Sequence, residues 1–274
     1  ILADPDCNIV CELIGGDTFS LECSRKALAA GKALVTANKA MLAKHGQELF
    51  PLAHANDSCI GFEASCAGGV PLFVSLRDGL VANRFSALYG ILNGTANYIL
   101  TEMTAGGKNY ETALAEAQQA GFAEQDPTFD VDGIDAGHKI AIIASLAFGV
   151  DVDFDAIPME GIRDVALDDI TWARQLGYTL KLIASAERVG DSIALRVYPA
   201  LLADDNPLAH IHGPFNAVSA FGHAVGHVLL VGRGAGQSPT ASAVVADVVD
   251  VALGHAQRRF QTLRIWPGKT SAAP

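Results

Sequence analysis

Acidic residues and one lysine are concentrated in a short stretch of the chain, AQQAGFAEQDPTFDVDGIDAGHK, which runs from Ala117 to Lys139. Its acids are Glu124, Asp126, Asp130, Asp132 and Asp135. Asp135 and Lys139 are four residues apart, so on a helix they share one face. The segment after Lys139 is almost wholly apolar, which predicts a buried helix with its polar end at a pocket. A lysine partly withdrawn from water there can donate and accept a proton, and the carboxylates can bind a substrate ammonium group. An acidic turn with an ordinary surface ion pair is the alternative.

A second candidate is the segment VTANK, Val35 to Lys39, which follows a predicted strand. Open α/β sheets bind ligands at the carboxyl ends of their parallel strands. Asn38 and Lys39 are therefore placed to face a cofactor. The alternative is a solvated loop lysine.

Two glycine-rich segments offer weaker signals. GRGAG, Gly232 to Gly236, is not a dinucleotide fingerprint, because Gln237 stands where the third glycine belongs. It indicates either a close backbone approach to a ligand or a tight turn. FEASCAGGV, Phe62 to Val70, can offer oxygen ligands to a hard cation, with a plain turn as the alternative. None of the eight histidines forms a convincing ligand pair, and we interpret them as structural.

Composition narrows the function classes. The chain has 274 residues, of which 50% are hydrophobic, and a net charge of −11. This much apolar material excludes a disordered chain, and the absence of a basic cluster argues against nucleic-acid binding. The best apolar run, Ile140 to Val150, is far shorter than the roughly 20 residues of a membrane span. We expect a soluble, acidic, globular protein that acts on small molecules.

The cysteines favour a reducing compartment. They are odd in number and form no CxxC pair, so a disulfide framework or zinc site is not expected. We predict buried, reduced thiols in a cytoplasmic protein. The five are Cys7, Cys11, Cys23, Cys59 and Cys66.

The first 65 residues alternate strand and helix signals, which predicts parallel strands with right-handed crossovers. The predicted strands are 8–14, 33–36 and 59–64, and the predicted helices are 17–30 and 39–55, with Gly46 and Pro51 as possible breaks in the second. This is half of a doubly wound dinucleotide-binding domain. The half that carries the glycine-rich phosphate turn is expected to precede it.

The remainder mixes strands and helices without strict alternation. Helices are predicted at 71–80, 98–104, 110–120, 136–148, 168–177 and 241–253, the last capped by Ser238 and Pro239, and strands at 87–92, 180–182, 192–199, 218–220 and 224–231. The tail 269–274 is expected to fray. The predicted fold class is α/β, a partial Rossmann-type doubly wound domain plus an α+β catalytic domain with a mixed or antiparallel sheet. The expected divisions are a nucleotide-binding half over 1–66, a catalytic and dimerisation domain over 67–231, and a segment, 232–274, that packs back on the nucleotide-binding part.

Several motifs in this order resemble the homoserine dehydrogenase family. They are ELIGG (12–16), VTANKA (35–40), FEASCAGGVP (62–71), GILNGTANYIL (90–100) and GRGAGQSPTASAVVAD (232–247). The acidic stretch is the most specific, and it matches the family signature at Ala117, Gly121, Asp126-Pro127, Asp130, Gly133, Asp135 and Lys139.

The resemblance implies NAD(P)-dependent interconversion of L-homoserine and L-aspartate 4-semialdehyde, a step toward threonine, methionine and isoleucine, by a homodimer or homotetramer. It makes Lys139 the proton donor and acceptor and places Lys39 between nicotinamide and substrate. The implied substrate contacts are Glu124, Asp135, Gly94 and Thr95. The implied cofactor contacts are Gly15, Thr36, Lys39, Gly121, Glu124 and Gly236. The implied sodium site consists of Glu63 with the backbone carbonyls of Cys66, Gly68 and Val70.

The chain also departs from the family pattern. Cys66 stands where valine is common, and Phe122 where some members have tyrosine. The family's GxGxxG turn and appended regulatory domain are expected to lie outside this sequence. One alternative is a catalytically silent homologue that keeps the dimer and substrate site. Another is aspartate-semialdehyde dehydrogenase, which requires a catalytic cysteine thiolate with a nearby base.

Overall fold

The structure is a computed structural model that describes residues 1–262, so the predicted frayed tail at 269–274 lies outside the described residues. Its N-terminal part is a parallel sheet in the order β1-β2-β3, as predicted. The strands are β1 (Ile9–Glu12), β2 (Ala33–Thr36) and β3 (Ile60–Gly61), and the helices between them are α1 (Phe19–Ala29) and α2 (Lys39–Ala55). Helix α2 continues through Gly46 and Pro51, where breaks had been considered. Burial of Leu49, Phe50 and Ala53 in the core holds this turn helical despite the proline.

The second sheet has five strands in the order β6-β5-β4-β7-β8, and every neighbouring pair is antiparallel. The strands are β4 (Phe85–Ile91), β5 (Tyr178–Val189), β6 (Ser192–Ala203), β7 (Phe215–Gly222) and β8 (Gly226–Arg233). Strand β8 has the predicted length but lies two residues later than 224–231. Strands β5, β6 and β7 are longer than the predicted 180–182, 192–199 and 218–220. Their polar and half-exposed ends carry little alternation, and hairpin pairing extends them: β5 pairs with β6 from Tyr178–Ala203 to Val189–Ser192.

Helices cover one face of this sheet. They are α4 (Gly94–Gly106), α5 (Tyr110–Gln119), the short α6 (Thr128–Val131), α7 (Ile134–Phe148) and α8 (Leu167–Gln175). Helix α7 contacts β4, β5 and β6 and is buried from Asp135 to Ser145, as the apolar run predicted. The predicted helix 71–80 is instead a short α-helical turn, α3 (Leu72–Val74), followed by a π-helical turn, Ser75–Gly79.

Two C-terminal helices, α9 (Gln237–Ala252) and α10 (His255–Thr262), contact the parallel sheet. The prediction that Ser238 caps α9 was wrong. The helix begins at Gln237. Gly236 occupies the cap position with φ of 120°, a conformation that residues with a side chain rarely adopt. Pro239 then lies in the first turn, where its missing N–H is not needed. Within residues 1–262, the helices are too short or too polar to cross a membrane.

Candidate active site

Asp135 lies between two lysines from different parts of the chain. Lys139, one helical turn later on α7, places its Nζ 2.6 Å from Asp135 Oδ2. Lys39, the first residue of α2, places its Nζ 2.9 Å from Asp135 Oδ1. Asp135 is 3% exposed and Lys139 is 7% exposed. The two strongest sequence candidates, VTANK and the acidic stretch, therefore form one site.

The two lysines control the ionisation of the carboxylate. Burial alone would raise the pKa of Asp135, but the Lys139 and Lys39 ammonium groups outweigh it, and the pKa lies well below its usual range. Burial alone would lower the pKa of Lys39, but the Asp135 carboxylate outweighs it, and that pKa is raised. At neutral pH, Asp135 is a carboxylate and Lys39 is a cation.

The chain between β4 and α4 supplies the remaining polar contacts. Lys139 Nζ donates to the Leu92 carbonyl oxygen at 2.7 Å. Asn93 Nδ2 donates to Asp135 Oδ2 at 2.9 Å and to Asp130 Oδ1 at 2.7 Å. The oxygen of this amide, Asn93 Oδ1, caps α4 by accepting from the Ala96 N–H. Sequence reasoning did not single out Asn93, although an asparagine before Gly-Thr is a typical helix start.

These groups open into a cavity of about 480 Å³. Most of the predicted substrate and cofactor contacts line it, and the structure adds Asn93 and Asp130. The Thr95 hydroxyl donates to the Phe122 carbonyl oxygen, and the Phe122 ring, at the position where some family members have tyrosine, packs on Tyr98. The lining includes Lys39, Asn93, Gly94, Thr95, Gly121, Phe122, Glu124, Asp130, Asp135, Lys139 and Gly236.

A second cavity, of about 550 Å³, lies at the carboxyl ends of β1 and β2. Gly15 and Asn38 line it, and Gly236 lines both cavities. Thr36 does not line either one. Its hydroxyl donates to Glu12 Oε2 and accepts from the Asn38 N–H, so a direct cofactor contact from Thr36 stays a prediction.

The residues implied for sodium only partly share a cavity. Glu63, Gly68 and Val70 line a third cavity of about 260 Å³ together with Asp247, whereas Cys66 does not line it. The Glu63 carboxylate accepts from the Phe73 and Val74 N–H groups at 2.8 Å each. Burial raises the pKa of Glu63 and raises that of Asp247 to about 7. Glu63 is buried and Asp247 is half-buried, and carboxyl groups are the kind of oxygen ligand that a hard cation takes.

The cysteines and histidines do not form a competing site. Burial raises the pKa of the Cys66 thiol to about 12, so it is not a thiolate nucleophile, and this argues against aspartate-semialdehyde dehydrogenase chemistry. Within residues 1–262, no three His, Cys, Asp or Glu side chains are placed to hold a metal ion. His138 precedes Lys139 and stacks on Phe154, and burial lowers its pKa to about 4.

Two family models match the chain. "Homoserine dehydrogenase, NAD binding domain" matches residues 1–63, and "Homoserine dehydrogenase" matches residues 71–249. Homoserine dehydrogenases from Pseudomonas aeruginosa and Bacillus subtilis are 48% and 45% identical over 92% of this chain. The match spans 58% of each relative's length, so the chain corresponds to about three fifths of these proteins.

Solved structures agree with the sequence matches. The structure of a homoserine dehydrogenase from Thiobacillus denitrificans superposes with a TM-score of 0.93 at 45% identity, covering 97% of this chain and 62% of that one. A hyperthermophilic archaeal homoserine dehydrogenase in complex with NADPH superposes with a TM-score of 0.79 at 31% identity, covering 90% and 72%. The family resemblance and the predicted fold class are thereby confirmed, and this chain belongs to the homoserine dehydrogenase family.

Proposed function

We propose that this chain carries the catalytic machinery for NAD(P)-dependent interconversion of L-homoserine and L-aspartate 4-semialdehyde. The observation that carries the proposal is the position of Lys139, Asp135 and Lys39, which meet in a cavity that shares Gly236 with a second, more apolar one. The first cavity suits a small amino-acid substrate, and the second suits the nicotinamide end of a cofactor.

Lys139 is the proposed proton donor and acceptor at the substrate oxygen. Its Nζ is held by the Leu92 carbonyl and by Asp135, in the wall of the substrate cavity. In semialdehyde reduction its ammonium form donates a proton to the aldehyde oxygen. In homoserine oxidation the neutral amine, formed once that ammonium has released a proton to water, takes the hydroxyl proton. Lys39, held cationic by Asp135, stabilises negative charge on the same oxygen between substrate and cofactor.

The substrate ammonium group is the proposed partner of the acidic lining. Both oxygens of Asp135 already face lysines or Asn93. Glu124 is exposed at the cavity, and Asp130 lies half-buried beside it. Glu124 therefore binds the ammonium directly with help from Asp130, and Asp135 contributes at longer range. Gly94 and Thr95 complete the substrate contacts at the start of α4.

A nicotinamide cofactor supplies hydride transfer when it is bound. The residues that would hold it are Gly15 in the second cavity, Gly236 between the two cavities, Lys39, Gly121 and Glu124 in the first cavity, and Thr36, which lines neither. The apolar lining from Leu13, Ile14 and Val245 suits a nicotinamide ring. A sodium ion would be held by Glu63 with the carbonyls of Cys66, Gly68 and Val70, where it would brace the loop before α3.

The wider setting of the proposal is amino-acid biosynthesis in the cytoplasm, toward threonine, methionine and isoleucine. The five cysteines are all free, which suits a reducing compartment. The proposed divisions are 1–66, 67–231 and 232–274, and the contacts of α9 and α10 with the parallel sheet support the last of them for the part up to residue 262.

A homodimer, alone or paired into a homotetramer, is the proposed assembly. The sheet face opposite the helices carries Tyr89, Tyr198 and Phe221 around a cavity of about 680 Å³, and Val231 lies on the same face outside that cavity. Phe221 is 36% exposed and Val231 is 46% exposed. A second copy of this face would cover both, and two-fold dimers are the commonest assemblies. Sedimentation should find a dimer or tetramer that Phe221→Arg dissociates, and a monomeric parent would contradict the proposal.

The function is tested by homoserine-dependent NAD(P)H formation, measured on this chain and on the longest polypeptide that its gene encodes. We expect turnover in the parent protein and none in Lys139→Ala. The control Lys26→Ala, which changes an exposed residue of α1, should keep the parental turnover. A longest gene product that binds NAD(P)H and homoserine without turnover would favour the catalytically silent homologue instead.

A further inference from the structure

A buried asparagine lies directly behind the candidate proton donor. Asn216, on β7, is fully buried, and its Nδ2 donates to the Leu92 carbonyl oxygen at 2.9 Å. The same oxygen accepts from Lys139 Nζ at 2.7 Å. The Leu92 carbonyl oxygen therefore accepts one hydrogen bond from Asn216 and another from Lys139.

The other end of this amide has no hydrogen-bond partner. Among the described residues, none donates to Asn216 Oδ1, although the atom is buried. Buried polar atoms are nearly always paired, and an unpaired one lowers stability. Rotating the amide would not help, because Oδ1 would then face the Leu92 oxygen and two acceptors would meet. An apolar side chain of the same shape would avoid this loss, so the asparagine is not explained by stability.

The neighbouring backbone is shaped around this amide. A Cβ atom on Gly234 would lie 2.0 Å from Asn216 Cγ and 2.1 Å from Oδ1. Gly234 does not have a positive φ, so glycine is needed there for space rather than for backbone conformation. Gly234 therefore closely approaches the Asn216 side chain, and the approach of GRGAG to a ligand stays a prediction.

We infer that Asn216 is a positioning residue that acts on Lys139 through the Leu92 carbonyl, an inference that rests on the proposed function. A lysine has a long flexible side chain, so its Nζ is placed only by the acceptors that it meets. If the Leu92 peptide turned, Lys139 would lose one acceptor. Asn93, the next residue, would move with that peptide, and its hydrogen bonds to Asp135 and Asp130 would be distorted. A small displacement of a proton donor lowers the rate strongly.

The test is Asn216→Leu, which keeps the shape and removes both the donor and the unpaired oxygen. We expect an unchanged or higher melting temperature, a kcat lowered roughly 10- to 100-fold, and an unchanged KM for NAD(P). Gly234→Ala should lower kcat in the same way by displacing the amide. The matched control is Asn109→Ala, which removes the N-cap of α5. It should lower the melting temperature and leave kcat unchanged.

A purely structural asparagine would behave differently: Asn216→Leu would lose stability and keep the parental kcat, and this result would overturn the inference. ¹⁵N NMR of the lysine ammonium groups gives a readout that does not need turnover, with Lys139 assigned by Lys139→Arg. We expect the Lys139 signal to shift or broaden in Asn216→Leu, and an unchanged signal would also overturn the inference. An inactive parent would count against the proposed function, and the NMR result would still decide the role of Asn216.

Discussion

Lys139 and Lys181 are both buried, at 7% and 1% exposure, but they meet different kinds of partner. Lys139 lies against the Asp135 carboxylate. Lys181, on β5, donates only to neutral oxygens among the described residues, Asn97 Oδ1 at 3.1 Å and the Ile211 carbonyl at 2.5 Å. Burial lowers the pKa of Lys181 to about 8, whereas the pKa of Lys39, the other partner of Asp135, is raised.

The comparison separates burial from function. Burial alone lowers the pKa of a lysine, as at Lys181, whereas the Asp135 carboxylate raises the pKa of Lys39 in the wall of a cavity. Lys181 lines none of the four cavities described above. With Asn97, which donates to the Ile211, Gly213 and Phe215 carbonyls, it ties α4 to the loop before β7. That loop includes Pro214, which lines the substrate cavity, so Lys181 supports the wall of the site.

The largest effect is expected from Lys139→Met. Loss of a general acid and base lowers kcat by roughly 10²- to 10⁴-fold, so homoserine oxidation should nearly disappear while NAD(P)H still binds. Stopped-flow and fluorescence titration measure the two quantities. Near-parental turnover would mean that Lys139, like Lys181, does not act in the chemistry.

Asp135→Asn should have the next largest effect. With the carboxylate gone, burial dominates at Lys39, so its pKa falls and the alkaline limb of the pH–rate profile moves to lower pH. We also expect kcat to fall roughly 100-fold, and the free energy of unfolding to fall by about 3 kcal/mol as a buried pair is broken. The pH profile and urea unfolding measure these effects. An unmoved alkaline limb would show that Asp135 does not control the Lys39 charge.

Lys181→Met tests the other half of the comparison through stability. The folded pKa of Lys181, about 8, lies below its ordinary value of 10.5. The unfolded chain therefore binds more protons between these values, and parental stability should rise with pH across that window by up to about 3 kcal/mol relative to the variant. Urea unfolding at several pH values measures the difference, with Lys26→Met as the control. Parallel pH curves for parent and Lys181→Met would contradict the lowered pKa.

The smallest effect is expected from Glu48→Gln. Its carboxylate lies 2.5 Å from Arg25, which is closer than the distance between Lys139 and Asp135, but both side chains are 45% exposed. Water screens such a pair, so we expect unchanged kcat and a melting temperature within about 2 °C of the parent. A larger loss, measured by calorimetry, would mean that distance matters more than burial.

Much of the fold could be predicted because local signals agreed with the final packing. The three parallel strands and helices α1 and α2 follow from apolar runs separated by glycines and caps. The antiparallel strands β5 to β7 were underestimated, since their ends are defined by cross-strand hydrogen bonds rather than by residue type. The start of α9 was misplaced for a related reason: Ser238-Pro239 is a good local start, but Gly236 adopts the cap conformation where the chain leaves β8.

The sequence by itself determined the chemical groups and their local pairing. Asp135 and Lys139 share a face because four residues make about one helical turn, and the acidic stretch with VTANK already indicated a small-molecule site. Only the tertiary structure decided that Lys39 reaches Asp135 and that Asn93 joins two carboxylates. It also placed Asn216 behind Leu92. These contacts join residues that lie far apart along the chain, and their distances depend on how helices and sheets pack, which no local pattern of residue types contains.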